Sequence, residues 1–521
     1  MRVLLLIVAL LGQPTWAQLN LYLGSYAPGE PVVVSLPINS PDPPRVSARF
    51  KAPNSTSWVA AKAFSSAVPS ILGFIFAGVP YYLVQATVIL PEDSPVGPAA
   101  IELTLNDSVE NLAVRVIGTH FVALTRSGDS VAAVAQQFSP SGRVSENKMT
   151  APAHPGDRIQ ISGAGLGARP MDLKLGLLLG RTPIPIQWVG RTAEGVDLLD
   201  FSIPADGAPI GCYVPLLMTA NSLSYSAGFI STAGDSGACV HPLGLGAAEL
   251  AVLDDGGLLP FLSLGITSVV GADVGGYRRY EDFEASFANF SGRQIWSASG
   301  QTSRPILGSS SSCMTFYPQG VSGTFVSLPG FGGGGPPPSM RTAVLNGPSG
   351  FQRSMEEHFI PPGHFSYQRF DDKPIPWAAL SAEQFVTGSW SIDLPADSGY
   401  PAVSIPFQVP RHLQLLEPMQ APSPTRDFRA RWDGSVFRPN DEVYLSVYSD
   451  HGVLSCWTTA QSGEFSISPA NLDFLDGATY ASVSFSAPVD SAIQPFQIPQ
   501  AGKPTRFGVF NWAQSISFKL K

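Results

Sequence analysis

The residues that could perform chemistry are few and widely spaced. The segment Gly234-Asp235-Ser236-Gly237 places a serine between glycines, a setting in which a serine can act as a nucleophile. Such a serine needs a general-base histidine that a carboxylate orients. The histidines that precede it in the chain are His120 and His154, and neither lies in a segment typical of that base. The sequence therefore predicts a turn between modules at this position rather than a catalytic centre.

A second candidate is the acidic stretch of Glu281, Asp282 and Glu284, which alternates with Tyr280 and Phe283. Two carboxylates can hydrolyse a glycosidic bond when they face each other across a cleft. The solvent-exposed face of a strand explains the same pattern equally well. Because no family pattern pairs these carboxylates, we predict that the chain has no catalytic residues and is not an enzyme.

No metal or cofactor site is predicted. His358 and His364 flank a Pro-Pro-Gly segment, which rules out a helical histidine pair and indicates an exposed loop. Asp254-Asp255 and Asp371-Asp372 lack the alternating oxygen ligands of a calcium loop and are expected to be turn residues. The glycine-rich segment at residues 163–167 is not followed by the helix that a dinucleotide loop requires, so it is predicted to be a β-turn.

The chain contains four cysteines, at positions 212, 239, 313 and 456, without a Cys-x-x-Cys spacing. This spacing does not support a zinc ribbon or a thioredoxin-like motif. An exported protein can form disulfides, and Cys239 and Cys313 bracket the first half of the third region of the chain. We therefore predict a Cys239–Cys313 disulfide, with Cys212 and Cys456 as buried thiols.

The N-terminal residues predict export. Arg2 precedes an apolar run at residues 3–11, and Thr15-Trp16-Ala17 fits the small residues that signal peptidase prefers. We predict a signal peptide at residues 1–17 with cleavage after Ala17, and a protein that is secreted, periplasmic or at the cell surface. No later segment has the roughly 18 uninterrupted apolar residues of a membrane span, so none is predicted.

Composition indicates an all-β protein that does not bind nucleic acid. The 521 residues include 51 glycines and 48 prolines, and only 14% are charged. Glycine and proline interrupt helices and favour turns between short strands. The net charge of −9 opposes binding to phosphate backbones, which depends largely on cations.

A repeated turn indicates serial β-sandwich modules. Pro28-Gly29-Glu30 and Pro155-Gly156-Asp157 each precede a β-branched strand, and Pro439-Asn440-Asp441 repeats the arrangement. Turns rich in proline, aspartate and glycine precede the returning strands of the first two copies. The predicted units after the signal peptide are sandwiches at residues 18–118 and 119–233, a larger β-rich region at 234–410 with an exposed Gly/Pro loop at 330–338, and a C-terminal sandwich at 411–521.

Residues 155–226 carry a family resemblance. The pattern Pro-Gly-Asp-x-Ile-x-Ile-x-Gly-x-Gly-Leu-Gly from Pro155, with Gly211-Cys212-Tyr213-Val214-Pro215-Leu216, resembles the Ig-like domain of large secreted proteins of soil acidobacteria. The later segments that are similar to those proteins are 239–243, 253–257, 312–316, 345–350, 432–434, 455–456 and 463–467. The resemblance covers most of the mature chain, although the first module lacks the glycine-rich segment. It implies Ig-like sandwiches in an exported protein and supplies no catalytic residues.

Two functions of different classes are consistent with these observations. The first is a secreted, non-catalytic, multi-module protein that binds a protein or glycan of unknown identity or forms a surface structure, because sandwiches expose loops on a rigid scaffold. The alternative is an extracellular polysaccharide-binding or polysaccharide-active protein with its site in residues 234–410. The fold alone does not decide between them.

Overall fold

A computed structural model gives the fold of the chain. It describes residues 21–519 except 39–43, 77–78, 107, 120, 125–132, 169–172, 181, 221–222, 235–236, 274–275, 293–294, 296–310, 317–341, 357–363, 371–384, 397–401, 411–414, 417–420, 440, 450–452, 477, 479, 487–492 and 499–505.

The first sandwich consists of seven strands in the spatial order β1-β7-β6-β3-β4-β5-β2. Their bounds are β1 Leu21–Tyr26, β2 Pro31–Ile38, β3 Val46–Lys51, β4 Val59–Phe76, β5 Val79–Ile89, β6 Gly97–Leu105 and β7 Ser108–Val116. The long strand β4 pairs with β3 at one end and with β5 over the rest. Side chains from β2 and β5, such as Val32 and Val88, share one core with Phe50 of β3 and Leu103 of β6. The strands therefore form two facing layers that β4 connects.

The second sandwich is formed by strands β8 to β17. Their bounds are β8 Val122–Ala123, β9 Ala135–Phe138, β10 Val144–Glu146, β11 Arg158–Ala164, β12 Leu175–Leu179, β13 Thr182–Ile184, β14 Ile186–Arg191, β15 Asp197–Ser202, β16 Gly211–Ala220 and β17 Leu223–Thr232. One layer has the order β10-β9-β11-β15-β14, with β8 also paired to β11, and the other begins β13-β12-β16-β17. Ile161 of β11 and Phe201 of β15 share a core with Leu177 of β12 and Met218 of β16.

The three repeated turns use the same interaction. The Glu30 carboxylate accepts the backbone N–H of Ala27 at 2.6 Å, and the Asp157 carboxylate accepts that of His154 at 2.9 Å. In the third copy, the Asp441 carboxylate accepts the backbone N–H of Arg438 at 2.8 Å. In each case an acidic side chain accepts a hydrogen bond from the backbone N–H three residues earlier and so fixes the turn. The strands that follow these turns begin at Pro31, Arg158 and Glu442.

The rest of the described chain consists mainly of strands, with a short helix near its beginning. Residues 234–410 contain α1 Ala247–Asp254, β18 Leu259–Asp273, β19 Gly276–Phe290, β20 Ser311–Phe316, β21 Thr342–Asn346, β22 Gln352–Glu356, β23 His364–Phe370, β24 Gly388–Leu394 and β25 Val403–Val409. Residues 411–519 contain β26 Phe428–Arg431, β27 Glu442–Ser449, β28 Val453–Thr459, β29 Glu464–Ile467, β30 Tyr480–Ser486, β31 Ile493–Ile498 and β32 Arg506–Lys519. Short 3-10 helices lie at Pro348–Gly350, Gly434–Val436, Ala460–Ser462 and Pro469–Leu475.

One large sheet connects three of the predicted units. Its order is β13-β12-β16-β17-β20-β28-β27-β30-β32-β18-β19-β23, with β31 also paired to β32. Strand β20 lies between β17 and β28, and β18 pairs with β32 in parallel. Two smaller sheets have the orders β22-β21-β24-β25 and β26-β29. The predicted limits at 233/234 and 410/411 therefore do not separate sheets, and the module limits stay predictions.

The predicted all-β fold with several sandwiches is confirmed by these sheets. The described part of residues 165–178 contains no helix, and the glycine-rich segment instead extends from the end of β11. The predicted signal peptide at 1–17 and the loop at 330–338 lie outside the described residues. No helix in the described part of the chain is both long and apolar enough to cross a membrane.

Candidate functional site

The acidic stretch of β19 is partly buried, which corrects the expectation of an exposed strand face. Glu281 is 2% exposed and Asp282 is 5% exposed, whereas Glu284 is exposed. Glu281 is on the same face of β19 as Phe283 and Ala285, and this face packs against the sheet that contains β24 and β25. Phe283, which lies between the acidic residues, stacks on Phe407 with ring centroids 5.8 Å apart.

The strand geometry separates these carboxylates. Successive side chains of a strand point to opposite faces, so Glu281 and Asp282 cannot serve one cleft. Asp282 and Glu284 share a face and are about 6.6 Å apart along the strand. In the antiparallel pairing of β18 with β19, Asp282 lies opposite Thr267 and Glu284 lies opposite Gly265. Among the three acidic residues, only Asp282 and Glu284 are on one face at a separation that a two-carboxylate mechanism could use.

The predicted Cys239–Cys313 disulfide is wrong, because each of these cysteines is bonded to a different partner. The structure contains Cys212–Cys239 and Cys313–Cys456 disulfides, and no cysteine is free. The backbone N–H of Cys212 donates to the carbonyl of Val240 at 3.1 Å, so the segment that contains Cys239 runs beside β16. Cys313 and Cys456 are opposite each other in the β20–β28 register. The predicted buried thiols at Cys212 and Cys456 are corrected in the same way.

Two buried polar side chains lie beside the Cys212–Cys239 disulfide. The rings of Tyr213 and His241 meet edge to face, with centroids 5.2 Å apart. His241 is 4% exposed, and its Nδ1 accepts the backbone N–H of Leu243 at 3.1 Å. The neutral ring therefore carries its proton on Nε2. Neither this Nε2 nor the Tyr213 hydroxyl has a hydrogen-bond partner among the described residues.

Burial determines the protonation of this pair. It lowers the pKa of His241 to about 4, so the imidazole is neutral at physiological pH. Burial also raises the pKa of Tyr213 above its ordinary value, and the nearby Asp254 carboxylate raises it further. Both groups are therefore neutral in the folded protein, as an apolar environment requires.

Asp254 fastens α1 to the second sandwich. Its carboxylate accepts the backbone N–H groups of Met149 at 3.1 Å and Thr150 at 2.8 Å, and the Thr150 hydroxyl at 2.7 Å. On the other side of this loop, the Asn147 side chain donates to the carbonyl of Ser231 at 2.8 Å and accepts its N–H at 2.8 Å. Asp254 thus has a structural role. It is the last residue of α1 and not the turn residue that was predicted, whereas Asp255 begins the turn that follows the helix.

The remaining candidate residues are only partly described. Asp235, Ser236, His358 and the Asp371-Asp372 pair lie outside the described residues, and His364 begins β23. The Nδ1 of His154 donates to the carbonyl of Gly234 at 2.5 Å, so this histidine is engaged with backbone. In the part of the chain that the structure describes, no three His, Cys, Asp or Glu side chains are grouped to hold a metal ion.

Comparison with known proteins gives only remote likenesses. No protein-family model and no curated protein matches the chain. Tandem Ig domains of titin are 13% identical and cover 40% of this chain and 92% of that chain, with a TM-score of 0.14. An ICAM-5 ectodomain fragment is 9% identical and covers 95% and 97% respectively, with a TM-score of 0.15. The C-terminal domain of the Streptococcus agalactiae AgI/II polypeptide BspA is 9% identical over 39% and 85%, with a TM-score of 0.11.

Proposed function

We propose that this chain is a secreted, non-catalytic, multi-module protein that binds a partner or forms part of a surface structure. The observation that carries the proposal is that all four cysteines are paired in two disulfides. Disulfides persist in oxidising compartments such as the cell exterior and the periplasm. This pairing supports the export that the N-terminal residues predict, with cleavage after Ala17.

The absence of catalysis is part of the proposal, and the geometry of β19 supports it. Glu281 and Asp282 lie on opposite faces of the strand, and the histidine that precedes Ser236 most closely in the chain is bonded to backbone. A scaffold of sandwiches presents loops to partners while its strands hold the core. The partner is a protein or a glycan, since the net charge of −9 disfavours nucleic acid. We also propose that the chain is related to the secreted acidobacterial proteins that its sequence motifs resemble.

The alternative is a polysaccharide-binding or polysaccharide-active protein with its site in residues 234–410. One observation favours it, namely that Asp282 and Glu284 share a face of β19 at a separation of about 6.6 Å. Carboxyl groups roughly 5 to 10 Å apart act in glycoside hydrolysis. In that case Glu284, which is exposed, would meet the substrate first.

The test is a glycan-array and hydrolysis screen of the mature protein that begins at Gln18, with wild type, D282N and E284Q in parallel. The leading proposal expects no hydrolysis by any of the three proteins. Cleavage of a polysaccharide that is lost in D282N or E284Q would establish the alternative. Export is tested separately, by N-terminal sequencing of the protein outside the cytoplasm and by thiol labelling. An unprocessed N-terminus together with four reactive thiols would contradict secretion.

A further inference from the structure

The second sandwich holds one arginine in a fixed orientation at its surface. Arg191 ends β14, and its Nε donates to Oδ1 of Asp197 at 2.6 Å. The other oxygen of Asp197 accepts the backbone N–H of Leu166 at 2.8 Å. Asp197 is fully buried, and the side chain of Arg191 is 9% exposed. The guanidinium is therefore oriented by its own sandwich before any other part of the chain contacts it.

The first sandwich presents its repeated turn to this arginine. Glu30 is buried and fixes the turn through its bond to Ala27, and the N–H of Gly29 donates to the carbonyl of Leu90 at 3.1 Å. The carbonyl of Pro28 accepts from Nη1 of Arg191 at 3.5 Å. The turn that opens the first module is thus also its contact with the second.

Two further contacts cross between the sandwiches. Oε1 of Glu92 lies 3.6 Å from Nη1 of Arg191. The Nζ of Lys62 donates to the carbonyl of Ala193, in the hairpin between β14 and β15, at 2.7 Å. We call this set the joint: Pro28, Lys62 and Glu92 of the first sandwich with Arg191 and Ala193 of the second.

Two glycines allow the close approach at the joint. A Cβ at Gly29 would collide with Nη1 of Arg191, and a Cβ at Gly195 would lie 2.9 Å from the carbonyl oxygen of Gly29. Both glycines have positive φ angles, +77° and +82°, which other residues rarely adopt. Each side of the joint therefore has a glycine where the other side comes nearest.

The joint is polar and incompletely satisfied. Nη2 of Arg191 is buried and has no hydrogen-bond partner among the described residues. If the sandwiches separated, water would hydrate Nη2 while Nε kept its bond to Asp197. Separation therefore leaves neither charge buried alone. Apart from Ile117, which follows β7, bonds Tyr26 and packs into the core of the second sandwich, each sandwich builds its apolar core from its own strands, so the two would stay connected at Ile117. The pair of Arg115 with Asp476 at 3.2 Å links the first sandwich to the C-terminal region, but its Asp476 side chain is 70% exposed, so the pair contributes little.

We propose that the joint is a reversible closure in which Arg191 holds the first two sandwiches at one angle, and that it separates without unfolding either of them. The proposal goes beyond the function proposed above and holds whatever the partner is. It assigns the first module a fixed direction relative to the second when the joint is closed. A contact that opens in this way allows the first module to reorient as one body.

The experiment measures the distance between nitroxide labels at exposed positions of the two sandwiches, in the mature protein with both disulfides intact. Thr56→Cys and Val144→Cys provide the label sites. R191K keeps a cation for Asp197 but shortens the reach to Pro28 and Glu92. K62A/E92A removes the crossing side chains of the first sandwich and leaves Arg191 with Asp197 intact. R49A/E102A removes one cation and one anion from an ion pair within the first sandwich and is the matched control.

We expect one narrow distance distribution in the labelled protein and in R49A/E102A. In R191K and K62A/E92A we expect a broadened distribution with a longer component, while the thermal unfolding of K62A/E92A stays unchanged. Equally narrow distributions in R191K and K62A/E92A would overturn the role of the joint. A broad distribution in the labelled protein itself, or a loss of folded structure in K62A/E92A alone, would contradict a reversible closure.

Discussion

Cys313 of β20 and Cys456 of β28 are direct cross-strand partners, and their disulfide joins positions 143 residues apart. The Cys212–Cys239 disulfide joins positions only 27 residues apart. In the chain-entropy model a disulfide stabilises more when its loop is longer, by about 5 kcal/mol for the first loop and about 3.5 kcal/mol for the second. We expect C313A/C456A to lower the free energy of unfolding more than C212A/C239A in urea titrations. The opposite order would contradict this prediction.

His241 makes the protein less stable in acid. Its pKa is lowered from 6.5 to about 4 by burial, so below pH 6.5 the unfolded chain binds a proton that the folded chain does not. The free energy of unfolding is therefore unaffected by this histidine above pH 6.5. It decreases as the pH falls toward 4, by about 3 kcal/mol at most. Tyr213, whose ring meets that of His241, is neutral over this range.

H241F tests this dependence in urea titrations at pH 7.5, 5.5 and 4.5. The difference in unfolding free energy between wild type and H241F should shift in favour of H241F as the pH falls. Y213F is the control, because it alters the same cluster without removing the imidazole and should follow the wild-type pH profile. A pH profile of H241F that parallels the wild type would exclude His241 as the source.

Tyr213 carries a buried hydroxyl that forms no hydrogen bond within the described residues. Replacing Tyr213 with phenylalanine removes only the hydroxyl. This change is neutral or stabilising, because no hydrogen bond is lost and one less polar group is buried. We expect Y213F to change the free energy of unfolding by between zero and about +1 kcal/mol. A loss of more than about 1 kcal/mol in urea denaturation would show that the hydroxyl has a bonded partner.

Asp197 and Arg191 form the most buried ion pair of the described residues, and removing one partner should be costly. We expect D197A to lower the free energy of unfolding by about 3 to 5 kcal/mol, because it removes the buried partner of Arg191 and leaves only the exposed Glu92 carboxylate near the guanidinium. The double variant R191M/D197A should be less damaging than the sum of the single variants in a double-mutant cycle. R49M, which breaks the half-exposed pair of Arg49 with Glu102, is the control and should cost at most about 1 kcal/mol.

Ser236 is expected to have no catalytic role. We predict that S236A secretes, folds and binds as the wild type does, since the sequence predicts a surface turn there and substitutions in such turns usually change stability by at most about 0.5 kcal/mol. A fluorophosphonate probe should leave the mature protein unlabelled. Covalent labelling that disappears in S236A would refute this prediction, and the histidine to examine next would be His154, which contacts Gly234.

Local features of the fold could be predicted from the sequence, whereas contacts between distant segments could not. The turns at Glu30 and Asp157 were predictable because the acidic side chain bonds a backbone group three residues away. The burial of Glu281 was missed because it depends on the distant strand β25, whose Phe407 stacks on Phe283 on the same face of β19. The disulfides were missed for the same reason, since the Cys313–Cys456 pair depends on which strands are neighbours in the large sheet.

The parallel pairing of β18 with β32 constrains the order in which the protein can fold. Strand β18 follows the second sandwich, but the partner along its edge is the last described strand of the chain. During synthesis, the first sandwich can form its core from its own strands. In the hairpin of β18 and β19, by contrast, the edge of β18 that pairs with β32 stays unpaired until residues 506–519 have been synthesised. Unpaired edges promote aggregation, so a chaperone that shields extended segments would act on this hairpin rather than on the first module.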